Sequence, residues 1–376
     1  MQIVGIALIA LVVVAAATLL LLLSPGRIRP VTDASDRPIP GSIAEKIRVP
    51  VNGTEQGMIV RSSDPSNPVL LFVHGGPGLP EYFLDALLPT HLEDEFTVVW
   101  WDQRGAGLSY DAGASAPESM TVDQLVDDTI AVSDYLRTRF DQPKIYLLGH
   151  SWGSYIAIRA AERAPDRYHA YIGMSQITHQ IESEKLAYDY ALERSRAQGD
   201  AKTVRKLEAS PVTTDAPLPD GWNAMRDDVM HRLGVGTTRE MRSVITGVFI
   251  PTWTSHEYTL SEKANLWRGK FDSKRIFWNE FMNVDMRSAV PTLAIPAYFI
   301  HGRYDYTANY GLARDYYEKL EAPAKGFYTF EDSAHGPSFE EPEKMLRVMR
   351  EDVVGGRTGL RMGGEVRQRG RRADVG

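Results

Sequence analysis

The sequence predicts an α/β fold: a mostly parallel central sheet flanked by helices, with a helical cap inserted above it and an apolar helix at the N-terminus. Three observations predict it. Short unbroken apolar runs recur at Val69–Val73, Thr97–Trp101, Ile145–Leu148, Tyr168–Met174, Ala297–Ile300 and Gly326–Phe330, and runs of this length suit strands buried on both faces. Helix-type patterns separate them, as repeated strand–helix–strand units require. From Gln176 to Pro291 this rhythm stops, and charged, helix-patterned segments (Glu182–Arg196, Lys202–Ala209, Arg239–Thr246, Tyr258–Arg268) replace the strand runs.

Taken in order, residues 1–24 come first. From Ile3 to Leu23 the chain carries no charge, and Thr18 is its only hydroxyl. As a helix at ~1.5 Å per residue this run spans about 30 Å, the thickness of a bilayer core. No Lys or Arg precedes it and Ser24-Pro25-Gly26-Arg27 offers no small-residue cleavage site, so it reads as a single-pass transmembrane anchor with membrane lipid as its partner, rather than a signal peptide. Arg27, Arg29 and Arg37 after the run favour a cytoplasmic body, but Asp33 and Asp36 lie among them and the side of the membrane stays open. Residues 25–42, with Pro25, Pro30, Pro38, Pro40 and Gly41, read as an extended linker.

The core is expected over 43–175 and 292–354, with the cap over 176–291. Thr121 can cap a helix running to about Phe140, in which Leu125, Val126, Ile130, Tyr135 and Leu136 form one stripe. A second helix starts just after Ser151 and ends near Ala164-Pro165, and others are expected at 308–320 and 339–352. Residues 355–376 are rich in arginine and glycine and read as a disordered basic tail.

Composition narrows the chemistry. A formal net charge of -7 argues against nucleic acid as the main partner. With no cysteine, thiol nucleophiles, disulfides and thiolate metal sites are excluded. None of the nine histidines forms a metal-ligand pair such as H-E-x-x-H, and no cofactor is called for.

The strongest local signal is Gly149-His150-Ser151-Trp152-Gly153, a G-x-S-x-G between an apolar run and a helix. A strand turning sharply into a helix holds the serine in a strained conformation with its hydroxyl projecting from the sheet edge. The helix behind it sets its positive N-terminal end under the charge that develops on attack. The oxyanion so formed needs two backbone N–H donors. One is Trp152, the residue after the serine. The other belongs to His74-Gly75-Gly76-Pro77-Gly78, where Gly76 is favoured and Gly75 is the near alternative.

Serine at its ordinary pKa needs a base. Late in the chain only His301 and His335 are available, and His335 occupies a loop after the last strand run, from which it can reach Ser151. Asp305, just past the penultimate strand, is the natural acid to orient it, with Asp332 as competitor. His74 and His150 read as residues that brace the glycine loop and the serine turn. An Asp102–Arg104 pair within Trp101-Asp102-Gln103-Arg104-Gly105 reads as a brace beneath the site.

Together, His74–Gly78, Trp101–Gly105 with Gly107 and Ser109, Gly149–Ser154 and Gly302–Asp305 resemble the proline iminopeptidase family of α/β-hydrolases, over about residues 60–175 and 290–350. The resemblance implies the α/β-hydrolase fold, Ser151, Asp305 and His335 as catalytic triad, and Trp152 and Gly76 at the oxyanion. It also implies a serine hydrolase working by acyl transfer, as an aminopeptidase releasing proline or another small N-terminal residue from a small or short-peptide substrate. The alternatives are an esterase or amidase on small or lipid-derived acyl compounds, and a non-catalytic receptor on the same fold. Aminopeptidases of this family hold the substrate amine with acids of the cap. The cap here departs from the family's pattern, leaving Glu257 as the candidate amine ligand and Glu182 or Glu184 as weaker ones.

Overall fold

The eight apolar and hairpin strands join one sheet in the order β1-β2-β4-β3-β5-β6-β7-β8, in a computed structural model that describes residues 18, 21–111, 113 and 119–360. The strands are β1 (Ile43–Val51), β2 (Thr54–Ser62), β3 (Val69–Val73), β4 (Thr97–Trp101), β5 (Ile145–His150), β6 (Tyr168–Met174), β7 (Ala297–Gly302) and β8 (Lys325–Phe330). From β4 through β8 every neighbouring pair is parallel. Only β1–β2 and β2–β4 are antiparallel.

The unbroken apolar runs are explained by burial on both faces. Val69, Leu71, Val73, Ile145 and Leu147 point into one core layer, while Leu70, Phe72, Tyr146 and Leu148 point into the other. On the first face pack helices α2 (Val122–Arg139) and α3 (Trp152–Arg163); on the second pack α1 (Tyr82–Leu87) and residues of the C-terminal helices. Thr121 caps α2 as its sequence suggests, its side chain accepting from the Gln124 amide at 3.1 Å. The hairpin β1–β2 carries no unbroken apolar run. Its signal is the two-residue turn Asn52-Gly53, whose φ angles of 44° and 81° are the positive values that such hairpins demand.

Between β6 and β7 the chain builds the cap from α4 (Gln180–Ala197), α5 (Ala201–Glu208), α6 (Asp220–Arg232), α7 (Ile250–Thr254), α8 (Leu260–Asn283) and α9 (Met286–Ala289). Thr259 and Glu262 close a reciprocal capping box at the start of α8. The helix expected at Arg239–Thr246 does not form over most of that stretch. The Arg239 amide bonds the Glu340 carboxylate at 2.7 Å and the Met241 amide bonds Thr238 Oγ1 at 3.1 Å, so side chains take the donors that a helix would use. After β7 come α10 (Tyr310–Lys319), α11 (Pro337–Glu340) and α12 (Pro342–Val348). Pro342 breaks what the sequence reads as one helix, because it lacks the amide that would continue it.

The transmembrane anchor expected over residues 3–23 is corrected. Among the described residues no helix is long and apolar enough to cross a membrane, and the lipid partner and membrane location inferred from that helix go with it. Most of the segment lies outside the described residues. Its end turns onto the cap: Lys263 Nζ donates to Leu23 O and Ser24 Oγ, both at 2.9 Å, and the Arg27 amide reaches His256 O at 3.3 Å. Residues 25–42 then run along the body, with Val31 buried and Arg29 paired to Glu257 at 3.0 Å. Hydropathy registers avoidance of water and carries no sign of such polar docking. Of the tail expected at 355–376, residues 361–376 lie outside the described residues, while the Gly359 and Leu360 amides bond Asp352.

The expected Asp102–Arg104 pair is also corrected. Asp102 accepts from the Leu108 amide at 2.7 Å, and Arg104 turns to Asp128 on α2, whose two oxygens it grips at 2.7 and 2.9 Å. Asp128 also accepts from Asn52, Gln56 and Gln124, so one carboxylate ties the hairpin, the Arg104 loop and α2 together. Asp128→Ala leaves the Arg104 guanidinium, 5% exposed, without its counter-charge. That substitution is expected to cost about 3–5 kcal/mol, read as a lowered midpoint of urea unfolding.

Candidate active site

Parallel strands end on one edge of the sheet, and the loops that follow them share that edge. The loop after β3 carries Gly75 and Gly76, the turn after β5 carries Ser151, the loop after β7 carries Asp305 and the loop after β8 carries His335.

Ser151 sits at φ 53°, ψ -123°, a positive-φ conformation that costs a non-glycine residue energy and is held only by its surroundings. Those surroundings explain the flanking glycines. A Cβ on Gly153 would lie 1.9 Å from Val73 O, and one on Gly149 would lie 2.5 Å from Gly153 O. Helix α3 therefore starts hard against β3, and Trp152, its first residue, offers an amide that has no partner within the helix. Gly75 adjoins the serine: a Cβ there would be 3.1 Å from Ser151 Cβ.

His335 Nδ1 donates to Asp305 Oδ2 at 2.9 Å. The other Asp305 oxygen accepts the Thr307 and Ala308 amides, each at 2.9 Å, and His301 Nε2 lies 3.3 Å from Oδ2. Burial alone would raise the Asp305 carboxyl; the charge His335 carries when protonated at low pH, and the hydrogen bonds from His301 and His335, hold it well below the carboxylate range instead. Burial pulls His335 below its ordinary value, Asp305 pushes it back up, and His150 nearby pulls it down again. The imidazole is thus neutral at pH 7, with Nδ1 bearing the proton and Nε2 free to accept one. Asp332 is exposed, a turn residue whose amide bonds Glu341.

Ser151, His335, Gly76, Glu81 and His150 line one cavity of about 200 Å³, which Arg226 of α6 and Lys270, Lys274 and Trp278 of α8 line as well. Glu257 is not among its lining residues. It lies 1% exposed on the wall of a separate cavity of about 800 Å³, beside Arg29, Asp85 and Glu93. Glu182 bonds Arg287 at 2.9 Å. Glu184 is buried and holds Arg226 Nε at 2.7–2.8 Å and Trp222 Nε1 at 2.8 Å, so it steadies a cavity residue from behind.

Two acids line Ser151's cavity, Glu81 and Asp227. Asp227 pairs with Arg226 at 2.8 Å, and Glu81, which the sequence reading missed, stands beside the serine turn. Both its oxygens accept from His150 Nδ1, at 2.8 and 2.9 Å, while His150 Nε2 donates to His335 O at 2.8 Å. Acceptors at both ring nitrogens favour the doubly protonated imidazolium of His150. Burial opposes that charge, but Glu81 overcomes it and raises the pKa; burial likewise pushes Glu81 up and the His150 charge brings it down. The available signal was a lone acid in Leu79-Pro80-Glu81-Tyr82-Phe83-Leu84, directly after the glycine loop.

The remaining motif residues set the walls in place. Burial lowers His74 to about 4, so it is neutral: Nδ1 donates to Gly75 O at 2.8 Å and Nε2 accepts the Gln103 amide at 3.1 Å. The Gln103 side chain donates to His74 O at 2.7 Å and accepts from Trp152 Nε1 at 3.0 Å. One glutamine thus clamps the glycine loop to the start of α3. Among the described residues no group of three or more histidine and acid side chains is placed to hold a metal ion.

Comparison with known proteins agrees with this architecture. Residues 68–342 match the model of the alpha/beta hydrolase fold family. The probable aminopeptidase YbaC of Bacillus subtilis (strain 168) is 34% identical over 312 residues, spanning 82% of this chain and 96% of that protein. The proline iminopeptidase of Heyndrickxia coagulans is 25% identical over 291 residues, spanning 75% of this chain and 88% of its own. Among solved structures, a proline iminopeptidase-related protein from Thermus thermophilus superposes with a TM-score of 0.53 at 22% identity, over 83% of this chain and 98% of that one. The chain belongs to the α/β-hydrolase fold family and is a relative of its proline iminopeptidases.

Proposed function

We propose that this hydrolase is a serine aminopeptidase that removes a small N-terminal residue, proline among them, from short peptides. The observation that carries the reading is the 2.9 Å bond from His335 Nδ1 to Asp305 Oδ2, with His335 and Ser151 on the wall of one cavity.

Ser151 Oγ attacks the scissile carbonyl carbon while His335 Nε2 takes its proton, and Asp305 stabilises the imidazolium so formed. The Trp152 and Gly76 amides receive the oxyanion. Collapse of the tetrahedral intermediate breaks the C–N bond, and His335 returns the proton to the departing amine. Water, deprotonated by His335, then releases the N-terminal residue from Ser151. Glu81 receives the substrate's free amine. Its carboxylate has about four lone-pair sites, and His150 uses one on each oxygen.

A fluorophosphonate probe tests the nucleophile: peptide mapping of the labelled protein is expected to place the adduct on Ser151. Prolyl and alanyl arylamides are expected to be cleaved at least ~100-fold faster than their N-acetyl forms, since a buried acid left without its amine loses a charge-assisted bond, and Glu81→Gln is expected to narrow that preference. Turnover of short acyl esters with no cleavage of free-amine arylamides would instead assign the protein as an esterase.

A further inference from the structure

The part of the cavity wall that α8 contributes carries positive charge that the catalytic scheme does not use. Lys270 and Lys274 stand one helical turn apart on α8 and both line the Ser151 cavity. Among the described residues neither makes a hydrogen bond or ion pair. Each ammonium instead rests over a tryptophan, Lys270 at 5.0 Å from the Trp267 ring centre and Lys274 at 4.5 Å from that of Trp278. The carboxylates nearby are already engaged: Glu81 with His150, Glu184 with Arg226, and Asp227 with Arg226 at 2.8 Å. Set His150, Arg226, Lys270 and Lys274 against Glu81, Glu184 and Asp227, and one positive charge is left over. Burial pulls the Lys270 ammonium below its usual range, Asp227 pushes it up, and Lys274 adds to the pull. Lys270 is half-buried and Lys274 exposed, and two ammonium groups on one wall without a bonded carboxylate make that wall attractive to an anion.

We infer that Lys270 and Lys274 bind the free C-terminal carboxylate of the substrate, which makes dipeptides and similarly short peptides the preferred substrate class. The inference rests on the aminopeptidase reading and extends it, because the C-terminal carboxylate is the one anion every unmodified peptide carries. Size agrees: about 200 Å³ falls below the range of pockets that enclose drug-sized ligands. Amine at Glu81 and carboxylate at α8 would thus grip a short peptide from both ends, with its amide between them at Ser151.

The test compares Ala-Ala and Pro-Ala with their C-terminal amides, on the full chain, in wild type, Lys270→Met/Lys274→Met and Lys270→Arg/Lys274→Arg. Wild type is expected to favour the free acids over the amides by about 10–100-fold in kcat/KM, the worth of a charge-assisted bond. The methionine pair is expected to bring that ratio to about one, and the arginine pair to retain it. Fluorophosphonate labelling of each variant reports that its site is folded. Equal wild-type rates on acid and amide, or a preference that survives both methionines, would overturn the carboxylate site while the aminopeptidase reading stands. Turnover of esters with no cleavage of any peptide or arylamide would overturn both.

Discussion

Ser151→Ala is expected to lower kcat for arylamide cleavage by about 10⁵–10⁶-fold while KM changes by no more than a few-fold. In the proposed mechanism the hydroxyl is the one group that forms a bond to the substrate carbon, so its loss would remove the covalent route entirely. What would remain is the contribution of the proposed oxyanion donors, the Trp152 and Gly76 amides, to direct attack of water. The fold is expected to persist, since Ser151 is tied in through its backbone: its amide donates to Met174 O at 3.0 Å and its carbonyl accepts the Ser154 amide at 2.8 Å. Alanine meets the same positive φ as serine, so no new strain is added. Circular dichroism and thermal melting are expected to match wild type closely. A residual kcat above about 1% of wild type in a folded variant would mean that the nucleophile is another residue.

The parts of this architecture legible in the sequence are those whose cause is local. Strands β3 to β8 announce themselves because both faces of each are buried, so nearly every residue in the run is under the same pressure. The serine turn is legible because Gly149 and Gly153 are each forced by a backbone atom within van der Waals contact. The parts that escaped depend on which distant surfaces meet. Glu81 faces Ser151 only because α1 folds back over β5 to meet His150, and nothing in residues 79–84 states the partner. Arg104 lies two residues from Asp102 yet pairs with Asp128, twenty-four residues on, because α2 brings a fully buried carboxylate beneath the loop. Glu257 read as a candidate amine ligand from its place in the cap, but the chain before β1 lies against it and Arg29 takes up its charge. Apolarity over residues 3–23 likewise recorded an avoidance of water and not the surroundings that satisfy it.

Asp305→Asn is expected to lower kcat at pH 7 by about 10⁴-fold, and the reason lies in which oxygen is held. Oδ1 of Asp305 accepts two backbone amides, from Thr307 and Ala308. An asparagine must keep its oxygen there, which sets its NH₂ where Oδ2 had faced His335. That NH₂ donates, so His335 Nδ1 must accept, and the ring proton moves to Nε2. In this tautomer Nε2, the nitrogen proposed to act as base, already carries hydrogen and would take no proton from the hydroxyl. The pH dependence separates this account from simple loosening of the ring. In wild type, burial and His150 lower His335 from its ordinary 6.5 while Asp305 raises it, so the acid limb of kcat/KM is expected below pH 6.5: activity falls as pH drops through that pKa, because imidazolium is no base. Removing the Asp305 charge deletes the upward push, so the limb moves to still lower pH in the variant. Raising the pH does not restore the lost rate, since the block is a misplaced proton on a neutral ring. Profiles of kcat/KM from about pH 4 to pH 8 for both proteins check the sign. An unmoved limb together with a loss below about 10-fold would mean that Asp305 does not orient the base.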